Sequence, residues 1–152
     1  MDSHGVHCVD DDNGTSYHRK LLVHTPLTGK YMDVLKLIVA GGREFNDKAR
    51  LYKTMDYIVS NVSPVARVEI VSGCARGADT LAIEYAKERG LVLHEFPADW
   101  KQYGKRAGYI RNRVMGDFAD GLVAFWDGTS RGTKHMIEYM CELDKPIHVF
   151  RY

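Results

Sequence analysis

The stretch Val68-Glu69-Ile70-Val71-Ser72-Gly73-Cys74-Ala75-Arg76-Gly77-Ala78-Asp79 decides the fold class of this 152-residue chain. Val68 to Val71 is a short apolar run. It passes at once through a glycine-bounded turn into a helical pattern, with Leu81, Ala82, Tyr85 and Ala86 on one face and Gly90 as a C-terminal stop. A strand feeding a helix through so short a turn is the first half of a βαβ unit. Glycine in that turn lets backbone N–H groups close on an anion, and the helix N-terminus adds partial positive charge.

The same alternation extends in both directions. Upstream, Leu35 to Ala40 is an apolar run broken only by Lys36, as expected of a strand buried on both faces. Asn46 is placed to cap a helix with Leu51, Met55, Ile58, Val59 and Val62 on one face, ended by Pro64. Downstream come a strand over Leu91 to Phe96, a loop with Pro97, Trp100, Tyr103 and Gly104, and a helix turning Ile110, Val114 and Met115 inward. Leu122 to Phe125 is a further strand, Thr133 to Leu143 a helix buried through Met136, Ile137, Met140 and Leu143, and Ile147 to Phe150 a last strand after Pro146. Strands alternating with helices through short links predict an α/β, Rossmann-like three-layer sandwich. Its centre is a mostly parallel five-stranded sheet with helices on both faces. Ligands of such sheets bind beyond the carboxyl ends of the strands, where strand order reverses.

Residues 1–34 read differently from 35–152 and are expected to form a separate appendage. They hold four of the seven histidines and the acidic triplet Asp10-Asp11-Asp12, with little periodicity. Two readings stay open there: a β-hairpin about Asn13-Gly14, or a disordered arm. A net charge of +1 gives no overall attraction to nucleic acid, so local patches must carry any such case. No run reaches membrane-spanning length and no basic-then-apolar leader opens the chain, so a cytoplasmic protein without a membrane partner is expected. Cys8, Cys74 and Cys141, odd in number and widely spaced, read as reduced thiols. His4, His7 and Cys8 have no second pair at zinc spacing, so no metal site is expected.

Four junctions carry the candidate ligand residues. The first is Gly41, Gly42 and Arg43; the second Ser72, Gly73, Cys74, Ala75, Arg76, Gly77 and Asp79; the third Arg111 and Asn112; the fourth Asp127, Gly128, Thr129, Ser130, Gly132 and Thr133. Amides of 73–77 and 128–133 are candidate phosphate cradles, with Arg76 and Arg111 as guanidinium forks. For Gly73 and Gly77 the alternative is a tight turn and close helix packing alone. Asp79 either holds a ribose hydroxyl or complements the helix dipole. Trp100 and Trp126 are candidates for stacking a base, Trp126 alternatively being core. Lys101, Lys105, Arg106, Arg111 and Arg113, with no acidic residue among them, suit polyphosphate, a single strand stacked on Trp100 and Tyr103, or a solvated helix face. Cys74 is read as a small filler rather than a nucleophile.

Leu37-Ile38-Val39-Ala40-Gly41-Gly42-Arg43-Glu44-Phe45, Val71 to Asp79, Pro97-Ala98-Asp99-Trp100 and Ala107-Gly108-Tyr109-Ile110-Arg111-Asn112-Arg113-Val114-Met115 together resemble the YspA/cpYpsA-related branch of the SLOG superfamily. That superfamily also holds the Smf/DprA DNA-processing proteins and the "lonely guy" phosphoribohydrolases. The resemblance covers roughly residues 36–152 and implies a Rossmann-like fold that binds nucleotides or molecules derived from them, with activity differing between branches. It also implies that Arg111 lies near the substrate, and it makes a homodimer paired through helices an expectation. The phosphoribohydrolase signature Pro-Gly-Gly-x-Gly-Thr-x-x-Glu is matched at Gly132-Thr133, but Trp126-Asp127 replaces its start and Met136 stands at its glutamate.

The expected function is therefore binding of a nucleotide or a nucleotide-derived phosphorylated ligand, as a sensor or sequestering domain. The alternative is cleavage of an N-glycosidic bond in a nucleoside monophosphate, with Arg111, Asp79 or Glu44 as candidate catalytic residues in place of the missing carboxylate. Single-stranded DNA binding of the DNA-processing type comes third. Catalysis itself is left open, and the nucleotide is the expected ligand rather than a resident cofactor.

Overall fold

The computed structural model describes residues 34–62 and 66–152; the hairpin at Asn13-Gly14, the His4/His7/Cys8 cluster and Pro64 lie outside them. Five strands form one sheet in the order β3-β2-β1-β4-β5: β1 is Val34–Gly41, β2 Arg67–Ser72, β3 Leu93–Glu95, β4 Gly121–Trp126 and β5 Ile147–Arg151. Every pairing is parallel. The predicted Rossmann-like α/β architecture is the one observed, with a third strand half the expected length.

Side chains of β1 alternate between two cores, as a pleated strand covered on both sides requires. Leu35, Leu37 and Val39 join Val68, Ile70, Val123 and Phe125 beneath α1 (Lys48–Val62) and α2 (Ala78–Glu88). Ile38 and Ala40 face the other way, with Val71, Leu122, Ala124 and Val149, beneath α4 (Ala107–Phe118) and α5 (Arg131–Glu142). A one-turn helix, α3 (Trp100–Tyr103), and a 3₁₀ turn (Gly104–Arg106) lead into α4. The chain walks outward from β1 through β2 to β3, then returns to lay β4 against β1's other edge. Strand order thus reverses between β1 and β4, and a crevice opens where their carboxyl ends diverge.

Three local expectations are corrected. The cap of α1 is Asp47, whose Oδ1 accepts the Arg50 N–H at 3.0 Å, not Asn46. Either residue suits a cap, and the turn geometry chose the one three places before a free N–H. In α4 the buried residues are Ala107, Asn112, Met115 and Gly116, while Val114 is 50% exposed. Gly116 is the cause: a Cβ there would lie 2.6 Å from the Tyr139 ring, so α5 packs on α4 at its bare backbone and the helix is rotated to suit. Among the described cysteines Cys74 is a free thiol, whereas Cys141 is disulfide-bonded, against the expectation of reduced thiols. Sequence spacing says nothing of the Cα separation that permits a bridge. Among the described residues no helix is long and apolar enough to cross a membrane.

Candidate functional site

All four junctions meet over the β1/β4 crevice. They enclose two adjoining cavities of about 570 and 520 Å³, which share Arg43, Ala75, Trp100 and Arg111 as a common waist. Gly73, Cys74, Arg76, Pro97 and Ala98 line the first. Gly41, Gly42, Glu44, Asp79, Asn112, Asp127, Ser130, Gly132, Thr133 and Met136 line the second, together with Lys105 and Arg131. Ser72, Gly77, Gly128, Thr129 and Trp126, also candidates on sequence grounds, line neither.

The loop between β2 and α2 is drawn tight by its own side chains. Cys74, at a left-handed φ of 63°, donates its N–H to Ser72 Oγ at 3.2 Å, and the Ser72 hydroxyl donates to Asp79 O at 2.9 Å. The Ala75 N–H is taken by Asp79 Oδ2 at 3.2 Å. The amides of Cys74 and Ala75, expected to close on a phosphate, are therefore spent on the protein itself. A carboxylate fixed in the first helical turn already fills the anion's place. Arg76, at the rim of the first cavity, pairs with Glu44 at 2.7 Å, both side chains mostly in water at 72% and 82% exposed. Such a pair contributes little to stability, about 0–1 kcal/mol.

Arg111 is the cation that reaches inward. Its Nη1 donates to Gly73 O and its Nε to Asn112 Oδ1, the latter at 3.1 Å. Gly73 is required by this contact, since a Cβ there would stand 2.8 Å from Arg111 Nη1 and 2.9 Å from Asp79 Oδ2. Asn112, a candidate ligand residue, is instead buried and committed: its Nδ2 donates to Gly132 O and to His135 Nδ1, each at 3.1 Å. It is a positioning residue that ties the Arg111 guanidinium to the start of α5. The bond to Asn112 makes His135 Nδ1 the acceptor, hence the neutral ring protonated on Nε2. Burial, with Arg113 nearby, lowers the His135 pKa in agreement. His135, its ring 4.5 Å from that of Tyr109, had no signal in the sequence because its partners come from another helix.

At the fourth junction Asp127 Oδ1 accepts the N–H groups of Thr129 at 2.9 Å and Ser130 at 2.8 Å. Those two amides hold its carboxyl below the usual range. This loop's outer amides are thus also occupied, and Asp127 Oδ1 forms the turn. The N–H groups of Arg131, Gly132 and Thr133 are different. They precede the first intrahelical bond of α5, Lys134 N to Ser130 O, have no acceptor among the described residues, and border the second cavity. Trp126 belongs to the wall behind them. Only 8% exposed, it donates Nε1–H to Ser130 O at 3.1 Å, and the Arg151 guanidinium covers its ring at 5.1 Å, so it stacks no base. Trp100, at 51% exposed, stands where the two cavities meet.

Asp79 is the buried carboxylate of the cleft. Burial pushes its pKa up to about 6, although the Ala75 N–H, Arg111 and Arg43 all pull it down. The sign of the linkage follows. Below about pH 4 folded and unfolded chains both hold this proton. Between about pH 4 and 6 the unfolded chain has released it while the folded protein retains it, so stability falls as pH rises, by about 3 kcal/mol in all. Asp56, Glu69 and Asp127, held low, act oppositely, their stabilisation being lost as pH falls below the ordinary carboxylate range. Asp79→Asn is expected to cancel the decline. Its stability advantage over the parent, measured as the difference in urea-unfolding free energy, should grow from pH 4 to 6 and stay level above. Parallel profiles for the two proteins would exclude the assignment.

Burial also raises the Cys74 thiol's pKa, so it stays protonated and is no nucleophile. Met136 is buried at the cleft floor, and Glu138 turns to solvent toward Lys134 at 3.8 Å. No group of three or more His, Cys, Asp or Glu side chains is placed to hold a metal ion among the described residues.

The YAcAr model, describing the YspA, cpYpsA-related SLOG family, matches residues 35–103. The Gene 61 protein of Mycobacterium phage D29 is 33% identical over 108 residues, 66% of this chain and 83% of that one. The chain belongs to the YspA/cpYpsA-related SLOG family. Among solved structures it resembles DNA processing protein A (DprA) from Streptococcus pneumoniae, with a TM-score of 0.60 and 18% identity, over 75% of this chain and 49% of that one. It also resembles DNA processing protein A from Helicobacter pylori, solved for its single-stranded DNA binding mode, with a TM-score of 0.55 and 19% identity, over 76% and 64%. At that identity the two structures share the fold with this chain. It spans about half of the one and under two thirds of the other. Those matched residues that enter the cleft come from the end of β1 and the turn after it, the β2–α2 loop with Asp79, and the Pro97–Trp100 segment.

Proposed function

We propose that the cleft binds a nucleotide or a nucleotide-derived phosphorylated ligand, and that the protein serves as a sensor or sequestering domain. The observation that carries this reading is the convergence of unspent donors: the three open N–H groups at the start of α5 border the same cavity as Arg111 and Arg43. Helix-terminal amides and guanidinium groups are the donors that phosphate oxygens accept best. Met136 argues against hydrolysis at that place, since a thioether neither stabilises a cationic sugar nor activates water.

The enzymatic alternative would rest on Asp79, the carboxyl that lines the second cavity and whose pKa burial pushes up to about 6. Glu44, 82% exposed and paired with Arg76, lacks the desolvation that a general acid needs. Single-strand binding draws support from one surface feature, the exposed Trp100 and Tyr103 beside Lys101, Lys105 and Arg106.

A panel of nucleoside mono-, di- and triphosphates tested by thermal shift decides between these readings. A ligand present at one hundred times its dissociation constant should add about 2.7 kcal/mol, or roughly 5–11 °C in melting temperature. No shift with any nucleotide, beside salt-sensitive binding of single-stranded DNA that Lys105→Glu and Arg106→Glu weaken, would replace the proposal with the third reading. Release of free base, lost in Asp79→Asn, would replace it with the second.

A further inference from the structure

We infer that the cleft takes up its anionic ligand together with one proton, carried by the Asp79 carboxyl. The inference rests on the nucleotide-binding reading and gives that site its regulation. The placement of Asp79 carries it.

Asp79 stands where the donors of the cleft converge. It lies in the first turn of α2, is 6% exposed, and lines the second cavity with Arg43, Arg111 and Gly132. A Cβ on Gly73 would stand 2.9 Å from Asp79 Oδ2 and 2.8 Å from Arg111 Nη1, so carboxyl and guanidinium border one small space. Yet they are not joined. Among the described residues Asp79 makes no ion pair; its Oδ2 accepts the Ala75 N–H, and its Oδ1 has no donor. Arg111 commits Nη1 and Nε to Gly73 O and Asn112 Oδ1, and its Nη2 has no acceptor among the described residues. A buried carboxyl with no countercharge in contact is one that gains a proton readily.

Few charges face it. Arg111 comes from α4 and Arg43 from the turn after β1, and both favour the ionised form. The Cys74 thiol of its own loop is neutral, burial having raised its pKa. Burial outweighs the two cations, and the carboxyl titrates at about 6. Elsewhere on the second cavity Glu44 is engaged by Arg76, and Asp127 by the amides of Thr129 and Ser130. Lys105 and Arg131 add cations at its border.

Above about pH 6 the empty cleft thus holds an ionised Asp79 beside its two arginines. A phosphate arriving at Arg111 and the open amides of α5 sets a second anion near the first, in a place partly shielded from water. Like charges so placed raise a carboxyl's pKa, so the ligand drives a proton onto Asp79. The coupling is reciprocal: a ligand that tightens the proton is itself tightened by it. Affinity is therefore greatest below about pH 6, where Asp79 already holds its proton. It falls as pH rises, until the carboxyl of the complex is ionised too.

The test is calorimetric titration of the full chain with AMP, ADP and ADP-ribose, in parent and Asp79→Asn, with circular dichroism to confirm folding. Asn keeps the shape and cannot ionise, and dividing the variant's affinity by the parent's cancels any titration of the ligand itself. For each probe that binds, this ratio is expected to grow about tenfold from about pH 6 to about pH 8. In buffers of different ionisation heat at about pH 7, the parent should take up more than about half a proton beyond what the variant does. A ratio that stays level with pH would overturn the inference and leave the nucleotide reading intact. The carbon-13 resonance of the Asp79 carboxyl in the parent gives a check that needs no variant. Its midpoint should move up by about one pH unit or more on saturation, and an unmoved midpoint would overturn the inference equally. Failure of all three probes to bind either protein at any pH would overturn both readings.

Discussion

Gly77→Ala is expected to lower the unfolding free energy by about 3 kcal/mol or more, dropping the melting temperature by roughly 6–12 °C. Gly77 precedes α2 with φ 84° and ψ −128°, a region that side chains other than hydrogen rarely enter. Space is as restrictive as dihedral: an added Cβ would overlap Gly42 O and stand 2.7 Å from Arg43 O. Both obstacles are backbone, so no rotamer change relieves them. Strain of about 1–3 kcal/mol and overpacking of similar size add at the one site. The β1–α1 turn and the β2–α2 turn press together here, and the same contact brings Arg43 to the waist beside Gly73. Urea unfolding of the variant measures the cost. A loss below about 1 kcal/mol would show that the two turns are free to separate, and the packing account of the cleft would fail with it.

Arg111→Ala is expected to weaken phosphorylated ligands by about a hundredfold or more, the scale of losing a buried charged partner (about 2–5 kcal/mol). The effect has two parts. The guanidinium is itself a donor to the ligand, and its removal also unpairs Gly73 O and Asn112 Oδ1, which it holds. Arg111→Lys is expected to recover little, because an ammonium cannot serve Gly73, Asn112 and a phosphate from one planar fork. Asp79 should respond as well. With a neighbouring cation gone its carboxyl rises further above about 6, and the stability decline with pH extends to higher pH. Calorimetry on both variants at pH 7.5 checks the first claim, and wild-type affinity in Arg111→Ala would refute it. Unfolding across pH checks the second.

The course of the chain was legible because a parallel sheet buried on both faces demands unbroken apolar strands, and Leu35–Ala40, Val68–Val71 and Leu122–Phe125 supply them. Glycine at strand ends was equally legible as a marker of where backbone must approach closely, as Gly73 and Gly77 show. What each cradle would hold was not. Ser72, Asp79 and Asp127 each lie within a few residues of amides that seemed open, and each took them. A short polar side chain near a turn competes with any ligand for the turn's N–H groups, and only geometry shows which wins. The rotation of α4 was illegible for a related reason. Periodicity offered Val114 and Met115 alike, and Gly116 against the Tyr139 ring chose between them.

Sequence alone determined the α/β alternation, the place where the sheet must open, and the kinds of donor gathered there, because periodicity and turn chemistry act over a few neighbours. Tertiary structure decided which donors remain for a guest. It left the amides at the start of α5 and the two arginines, and it committed Asn112, Asp127 and Trp126 to the frame. The physical reason is that a hydrogen-bonding group can be spent once. Its partner is whichever acceptor the fold brings within reach, however far away that acceptor lies along the chain.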